Sequence, residues 1–475
     1  MTTQKRLRRN PKTSGATSLP APSSLRAKKT RAKGLKQKLE YDKRLGNRLE
    51  DYVRSIEPPT RSAVLLQESA ERLKIEREAL YQIIKPEAVY IRRLSVPILG
   101  AVVNIVSGIV LHDRARGPYK GGIRLAQDVD IWETNELARL MTLKTALAGV
   151  DLGGGKSGIS INLRALHERM IREKRFRGGF REFARIAKID IITEFARNFG
   201  WLFSNHEYIP APDMGTSGAE IVHIYNMTND PASVTGKPDG IEGALPGRRE
   251  ATGYGVFYAV LKHMERTGRS PDQCTAAIQG FGNVGSYSAK FLHEAGVKVI
   301  GITDMTGGLH DPRGIDVPAL MTSYAVQGHL PVRKGKTLTN DELFRMKCDY
   351  LIPAATGHVL NEKNCKTVSA RVVVEAANMP VTYPGMQVLQ KRGIEIIPDT
   401  YANAGGVIAS NAEYRQALGG MKYTRDMTLA YLRERFDAMY ASMEPHVKKG
   451  RTLAEAGADV ALSRVYETLR QRNMI

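Results

Sequence analysis

The stretch Gly280-Phe281-Gly282-Asn283-Val284-Gly285 constrains the fold more than any other part of the chain. Alone, a Gly-x-Gly-x-x-Gly is a weak signal. Here it directly follows the strand-like run Thr275–Gln279 and opens an apolar helical pattern through Ala289, Phe291 and Leu292. A second strand-like run then ends at Asp304, about twenty residues on, which is the context a dinucleotide-binding turn requires. Gly280 and Gly282 permit a tight turn and let backbone N–H groups approach a pyrophosphate, whose charge the helix N-terminus stabilises. Asp304 is placed to accept a hydrogen bond from an adenine ribose hydroxyl, which tilts the choice toward NAD over NADP.

Around this unit, short β-branched runs alternate with helical patterns: Thr275–Gln279, 298–303, 350–352, 371–374 and 393–397. Such alternation predicts a parallel sheet with helices on both faces, a Rossmann-type doubly wound α/β domain. Upstream the texture differs. Leu35, Leu39, Leu45, Leu49 and Val53 predict a helix ending before Pro58-Pro59, and a second helix is expected from Ser62 to Ile84, stopping before Pro86. Residues 90–111 read as strands. Trp132, Leu137, Leu140, Met141 and Leu143 predict a helix over 130–148 that ends in the glycine cluster Gly153-Gly154-Gly155. A basic segment at 166–189 reads as a helical surface insertion broken at Gly178-Gly179. Leu429, Leu432, Phe436, Met439 and Met443 predict a late helix, and a last one ends near Leu469. The length of 475 residues suits two domains with tails.

The net charge of +21 suggests a polyanion-binding protein until its location is considered. Residues 1–39 hold twelve Lys or Arg and no acid, so the remainder carries +9. That segment is rich in Ser, Thr, Pro, Ala and Gly and cannot bury enough apolar area to fold alone. It is expected to be a solvated, disordered tail; an organelle transit peptide and a nonspecific nucleic-acid or membrane arm are the competing readings. The longest apolar run, 96–111, is shorter than the ~20 residues of a spanning helix and contains Asn104, Ser107 and two glycines. No apolar region of a secretory signal follows the basic start. The expected location is cytoplasmic, with the mitochondrial matrix as the alternative if the basic N-terminus is a transit peptide. Cys274, Cys348 and Cys365 form no CxxC pair and are expected to be buried small hydrophobes in a reducing compartment. The histidines show no ligand spacing with Cys, Asp or Glu, so no metal site is assigned.

Three lysines stand in tight contexts: Lys120 in GPYKGG, Lys144 in MTLK and Lys156 in GGGKSG. Glycines beside them would let a ligand approach unobstructed. Two could bind carboxylates as point charges. A third, crowded by cations and partly desolvated, would have a depressed pKa suited to proton chemistry. Unrelated surface lysines are the blander alternative. In Pro210-Ala211-Pro212-Asp213-Met214-Gly215-Thr216 the prolines hold the backbone, so Asp213 is a fixed carboxylate and a candidate proton shuttle, unless it merely caps its own turn.

These motifs occur in one order: GPYKGG, MTLK, GGGK, PAPD-x-GT, Arg248-Arg249-Glu250-Ala251-Thr252-Gly253, GFGNVG and Ala402-Asn403-Ala404-Gly405-Gly406-Val407. Together they resemble the glutamate/leucine/phenylalanine/valine dehydrogenase family over roughly residues 45–420. The resemblance implies that Lys156 polarises the substrate carbon and its water, and that Asp213 carries protons to and from the amino nitrogen. Lys144 would hold the α-carboxylate, while Gly121, Gly122 and Val407 would line the substrate pocket. Arg248 and Thr252 would sit at the domain junction, Arg248 toward the substrate and Thr252 near the nicotinamide amide. Gly280, Gly282, Asn283 and Val284 would hold the pyrophosphate. Ala354, Ala355, Asn378 and Asn403 would lie at the nicotinamide half. Glutamate enzymes of this family bind the γ-carboxylate with a lysine in GPYKGG and a serine shortly after AGGV; this chain has Lys120 and Ser410 there. A buried lysine without an anion is costly, so such a pocket should reject leucine.

The implied organisation is a basic tail at 1–39, a substrate-binding and oligomerisation domain at 40–245, a dinucleotide-binding domain at 246–430 and C-terminal helices at 431–475 returning to the substrate domain. The implied activity is the reversible deamination of L-glutamate to 2-oxoglutarate and ammonium with NAD or NADP, by a homohexamer that engages no membrane; nucleic acid is not an expected partner, though the basic tail leaves it open. Dehydrogenases of other amino acids, and a silent basic nucleic-acid-binding paralogue, are the rival readings. The chain departs from the family pattern at Glu375-Ala376-Ala377-Asn378, where a glycine usually follows the glutamate, at 221–225, and in the basic insertion.

Overall fold

The structure, a computed structural model, describes residues 60–331 and 337–475. The expected tail and the helix read at 35–53 lie outside the described residues. Two short helices come first, α1 (Arg61–Leu73) and α2 (Arg77–Ile84). The periodicity predicts one helix here. The break falls at Lys74, which turns left-handed (φ 54°) and donates its N–H back to the last carbonyls of α1. The turn lets Leu66 and Ala70 on one helix and Ile83 on the other enter the same core.

The first sheet begins with β1 (Ala88–Ile98) and β2 (Ala101–Asp113), an antiparallel hairpin. Its two-residue turn uses Leu99 and Gly100, both at positive φ, as a primed turn requires. β3 (Tyr119–Ala126) is followed by α3 (Ile131–Ala148), whose N-terminus is capped by Asp130 accepting from Glu133 N at 2.7 Å. α3 stops at left-handed Gly149; the glycine cluster lies beyond it, with Gly154 and Gly155 already in β4 (Gly154–Ser160). α4 (Leu163–Arg172) and α5 (Phe180–Ser204) contain the basic segment read at 166–189, with the break at 173–179, and α5 runs on past it. α5 buries Phe183, Phe195, Phe199 and Phe203 with Leu94, Ile105 and Ile123 of the sheet, while Arg172, Arg177, Arg181 and Arg185 are exposed. β5 (Tyr208–Pro212) and α6 (Gly218–Thr228) complete this half. The strand order is β1-β2-β4-β3-β5, and β3 runs parallel to both β4 and β5.

The second half opens with α7 (Ala251–Thr267) and continues β6 (Thr275–Gln279), α8 (Asn283–Glu294), β7 (Lys298–Asp304), β8 (Gly307–His310), α9 (Val317–Gln327), α10 (Asn340–Arg345), β9 (Tyr350–Pro353), β10 (Val372–Val374), α11 (Tyr383–Lys391) and β11 (Glu395–Ile397). The order is β11-β10-β9-β6-β7-β8, parallel except for β8, an antiparallel edge that the sequence pattern does not predict. Hydrophobic clusters cover both faces of this sheet, and all three cysteines are buried and unpaired. The chain then runs through α12 (Asp399–Ala402), α13 (Gly405–Ala417) and α14 (Arg425–Val447), and α15 (Leu453–Gln471) packs on α1 and α3. The order reverses between β6 and β9, so a crevice opens beyond the carboxyl ends of those strands. Among the described residues no helix is long and apolar enough to cross a membrane.

Candidate active site

Lys120, Lys156 and Asp213 belong to three adjacent strands. Lys120 lies in β3, Lys156 in β4, and Asp213 directly follows β5. β3 is the middle strand, and Ile123 is in register with both Ser157 and Pro212. Lys156 and Asp213 therefore reach each other over β3, where their side chains form a buried ion pair. The residue beneath them is Gly122: a Cβ there would lie 2.6 Å from the Cβ of Asp213. A Cβ on Gly121 would lie 1.7 Å from the carbonyl oxygen of Gly155. The glycines beside the lysines thus serve close packing of the strands and the acid, a different purpose from the unobstructed ligand approach the sequence suggests. Asp213 N donates to Thr216 Oγ1 at 2.9 Å, so the turn anchors its backbone and leaves its carboxylate to Lys156. Burial works against that carboxylate, yet Lys156 and Arg124 hold it below the usual range. The ion contact to Lys156 is made by its Oδ2.

Lys144, toward the C-terminal end of α3, crosses to the second half of the molecule. Its ammonium donates to Asn378 Oδ1 at 2.9 Å and to Asn403 Oδ1 at 2.5 Å. Asn403 in turn donates to the carbonyl of Ala377 at 3.0 Å. Burial lowers the Lys144 pKa to about 8, against the opposing pull of Asp399. Glu375, behind Asn378, is buried in an ion pair with Arg61 and accepts from Asp399 N at 3.1 Å.

Lys120 is 2 % exposed. Burial, and then the charge of Arg248, push its pKa well below that of a free lysine. The lowered pKa that the sequence reading expects of one crowded lysine is found at Lys120 and Lys144; Lys156 has Asp213 as its counter-ion. Arg248 reaches the same pocket and donates to Ser410 Oγ at 3.1 Å. Val407 and Ser410 lie on one side of α13, and Glu413 follows one turn on, fully buried. The sequence reading passes over Glu413 and its partner Lys237. Glu413 was within reach, since three residues after Ser410 on a helix is the same face. Lys237, in a loop after α6, carries no local signal.

The glycine turn joins β6 to α8. Gly280 sits at φ 94° with Ala355 packed against it, and a Cβ on Gly285 would lie 1.9 Å from the carbonyl oxygen of Gly280. Gly282 is the exception, with nothing within 4 Å of an added Cβ. Gly282 is the N-cap of α8, which begins Asn283-Val284, and no side chain caps this N-terminus. Asn283 itself donates to Arg249 O at 2.8 Å. Ala354 N donates to Gln279 O at 2.7 Å, bringing the end of β9 beside the turn. Gln279 Oε1 is buried without a partner among the described residues. Thr252 packs its hydroxyl against Gly406, 2.7 Å from an added Cβ. Asp304 ends β7 and accepts from Thr306 N at 2.7 Å and Leu330 N at 2.9 Å. An open glycine turn, free helix N–H groups, a ribose-side acid and an orphan amide oxygen fit a dinucleotide.

A doubly wound sheet with a Gly-x-Gly-x-x-Gly turn between β6 and α8 is the architecture of a dinucleotide-binding domain. Comparison with known proteins narrows it. Residues 243–473 match the family described as Glutamate/Leucine/Phenylalanine/Valine dehydrogenase, and residues 93–230 match its dimerisation domain. The NAD-specific glutamate dehydrogenase of Staphylococcus aureus is 33 % identical over 385 residues, covering 79 % of this chain and 88 % of that protein. The hetero-hexameric glutamate dehydrogenase of Thermus thermophilus, solved with leucine bound, superposes with a TM-score of 0.77 at 26 % identity, over 88 % of this chain and 98 % of that one. The glutamate dehydrogenase of Peptoniphilus asaccharolyticus gives 0.70 at 26 %, over 87 % and 99 %. The chain belongs to the glutamate/leucine/phenylalanine/valine dehydrogenase family.

Proposed function

We propose that the protein deaminates L-glutamate oxidatively and reversibly to 2-oxoglutarate and ammonium, with NAD as the preferred hydride acceptor. The observation that carries this reading is the pair of buried lysines, Lys120 and Lys144, neither of which forms a salt bridge among the described residues. Buried cations call for anions. A dicarboxylate supplies two, whereas a leucine side chain would leave Lys120 unpaired.

In this reading Lys144 holds the α-carboxylate, and Lys120, Arg248 and Ser410 hold the γ-carboxylate, with Gly121, Gly122 and Val407 as pocket wall. Asp213 turns from Lys156 to the substrate ammonium and removes a proton, which leaves a neutral amine able to release hydride from Cα. The hydride acceptor would be supplied by a bound nicotinamide. Lys156 then orients and activates water at the iminium carbon of the substrate, and Asp213 returns the proton as ammonia departs. Gly280, Gly282, Asn283 and Val284 would hold the pyrophosphate, Asp304 the adenine ribose, and Thr252, Ala354, Ala355, Asn378 and Asn403 the nicotinamide half. The Asp304 charge disfavours a ribose 2′-phosphate, and the Staphylococcus relative is NAD-specific; both support NAD over NADP. The domain limits stated above and a homohexameric assembly belong to the same proposal. The test is stoichiometric: glutamate and NAD should yield equal amounts of 2-oxoglutarate, ammonium and reduced nicotinamide. Reduced nicotinamide without 2-oxoglutarate would reject it.

A further inference from the structure

The pocket proposed to receive the γ-carboxylate contains an anion of its own. Glu413 is fully buried on α13, and Lys120 and Arg248 both lie in its field. Its Oε2 stands 3.8 Å from Arg248 Nε. An uncompensated carboxylate here would compete with a substrate carboxylate for the same cations and repel it. The structure answers that charge from outside the pocket. Lys237 places its ammonium 2.9 Å from Glu413 Oε1, and both side chains are wholly buried. The ammonium also donates to the carbonyls of Pro231 and Val234, at 2.8 and 2.9 Å. Glu413 further accepts from the backbone N–H of Gly236 at 2.7 Å and of Lys237 at 3.2 Å. The loop that carries Lys237 is seated firmly: Gly236, at φ 83°, packs on Pro212, and Thr235 N donates to Pro210 O at 3.0 Å. Lys237 thus belongs to the strand end that carries Asp213, and Glu413 to the helix that carries Ser410.

We propose that Lys237 is a specificity-determining residue: by neutralising Glu413 it keeps the pocket around Lys120 and Arg248 net positive, and so makes it select a carboxylate-bearing side chain. The inference builds on the glutamate reading and is separable from it. Lys237 does not touch the substrate; it acts through Glu413.

The test compares L-glutamate with norvaline, an apolar amino acid of similar length, in steady-state kinetics of the full-length enzyme. Lys237→Met exposes the Glu413 charge to the pocket. It should raise the KM for glutamate roughly tenfold or more while leaving the norvaline KM and the NADH affinity unchanged. Lys237→Met combined with Glu413→Gln removes two charges that cancel, and should return the glutamate KM to within about threefold of wild type. If the single variant does not fold, the double variant carries the test alone by retaining the preference for glutamate. Equal losses for both substrates, or a double variant that has lost its preference for glutamate, would overturn the proposal. A wild-type enzyme that does not oxidise glutamate would instead reject the reading beneath it.

Discussion

Asp213 is the residue on which the chemistry turns. Replacing it by Asn removes the proton acceptor at nearly constant shape, so turnover should fall by about a hundredfold to ten-thousandfold while NADH still binds with wild-type affinity; stopped-time assays and a fluorescence titration separate the two. Lys120→Leu should weaken the glutamate transition state by about 2–5 kcal/mol, since a substrate carboxylate would be buried without its cation. The pKa of Lys144, lowered to about 8 chiefly by burial, gives a pH prediction. The lysine must be protonated to hold the α-carboxylate, so kcat/KM for glutamate should decline above that pH in the free enzyme. A flat profile from neutral pH into the usual lysine range would contradict the assignment. These side chains were legible in the sequence because each sits in a short motif whose neighbours are chemically constrained. The pairings of Lys237 with Glu413 and of Arg61 with Glu375 were not: each joins positions far apart in the chain, and nothing in local spacing marks a basic residue as the partner of a distant acid.

At the scale of elements, the two glycine-rich turns make opposite predictions. Gly122→Ala should abolish activity, because the new Cβ would collide with Asp213 at 2.6 Å and displace it from Lys156. Gly282→Ala meets no protein atom within 4 Å, so it should fold with an unchanged Tm. It should nevertheless weaken NADH binding by about tenfold, a loss attributable to the ligand, since the phosphate must approach this backbone closely. The contact between α3 and β2 is pinned by His112, which bonds Thr142 Oγ1 at 2.9 Å and the carbonyl of Ile84 at 3.0 Å. Burial lowers its pKa to about 3. Unfolding releases a histidine that takes up a proton near pH ~6.5, so this site should cost stability as pH falls through the window between those values, at up to about 1.4 kcal/mol per unit. Urea midpoints for wild type and His112→Gln should therefore converge on acidification. Periodicity marked α3 and the parallel strands well, since their apolar spacing is regular; the basic segment reads as a surface insertion ending at 189, whereas α5 runs on to Ser204 and buries a row of phenylalanines. Periodicity missed the break at Lys74 because lysine is a good helix former and the left-handed turn is imposed by packing of Leu66, Ala70 and Ile83. It missed β8 because Gly307 and Gly308 have low strand propensity and pair only through β7.

For the whole molecule, the account joins a mixed sheet that gathers Lys120, Lys156 and Asp213 to a doubly wound sheet that presents Gly282 and Asn378, with Lys144, Arg248 and α13 crossing between them. The outer face of β1 and β2 exposes Val89, Ile91, Val102 and Val106, in the half that matches the family's dimerisation domain. Light scattering should accordingly report a mass about six times the chain's 52.5 kDa; a monomer would refute the assembly proposed. The central claim is that two buried cations without a salt bridge among the described residues select a dicarboxylate. The most direct measurement of it is the initial rate of NAD reduction by the wild-type enzyme with L-glutamate, L-leucine, L-valine and L-phenylalanine at equal concentration. The account predicts a rate with glutamate at least about a hundredfold above each of the others; equal or faster turnover of leucine would contradict it.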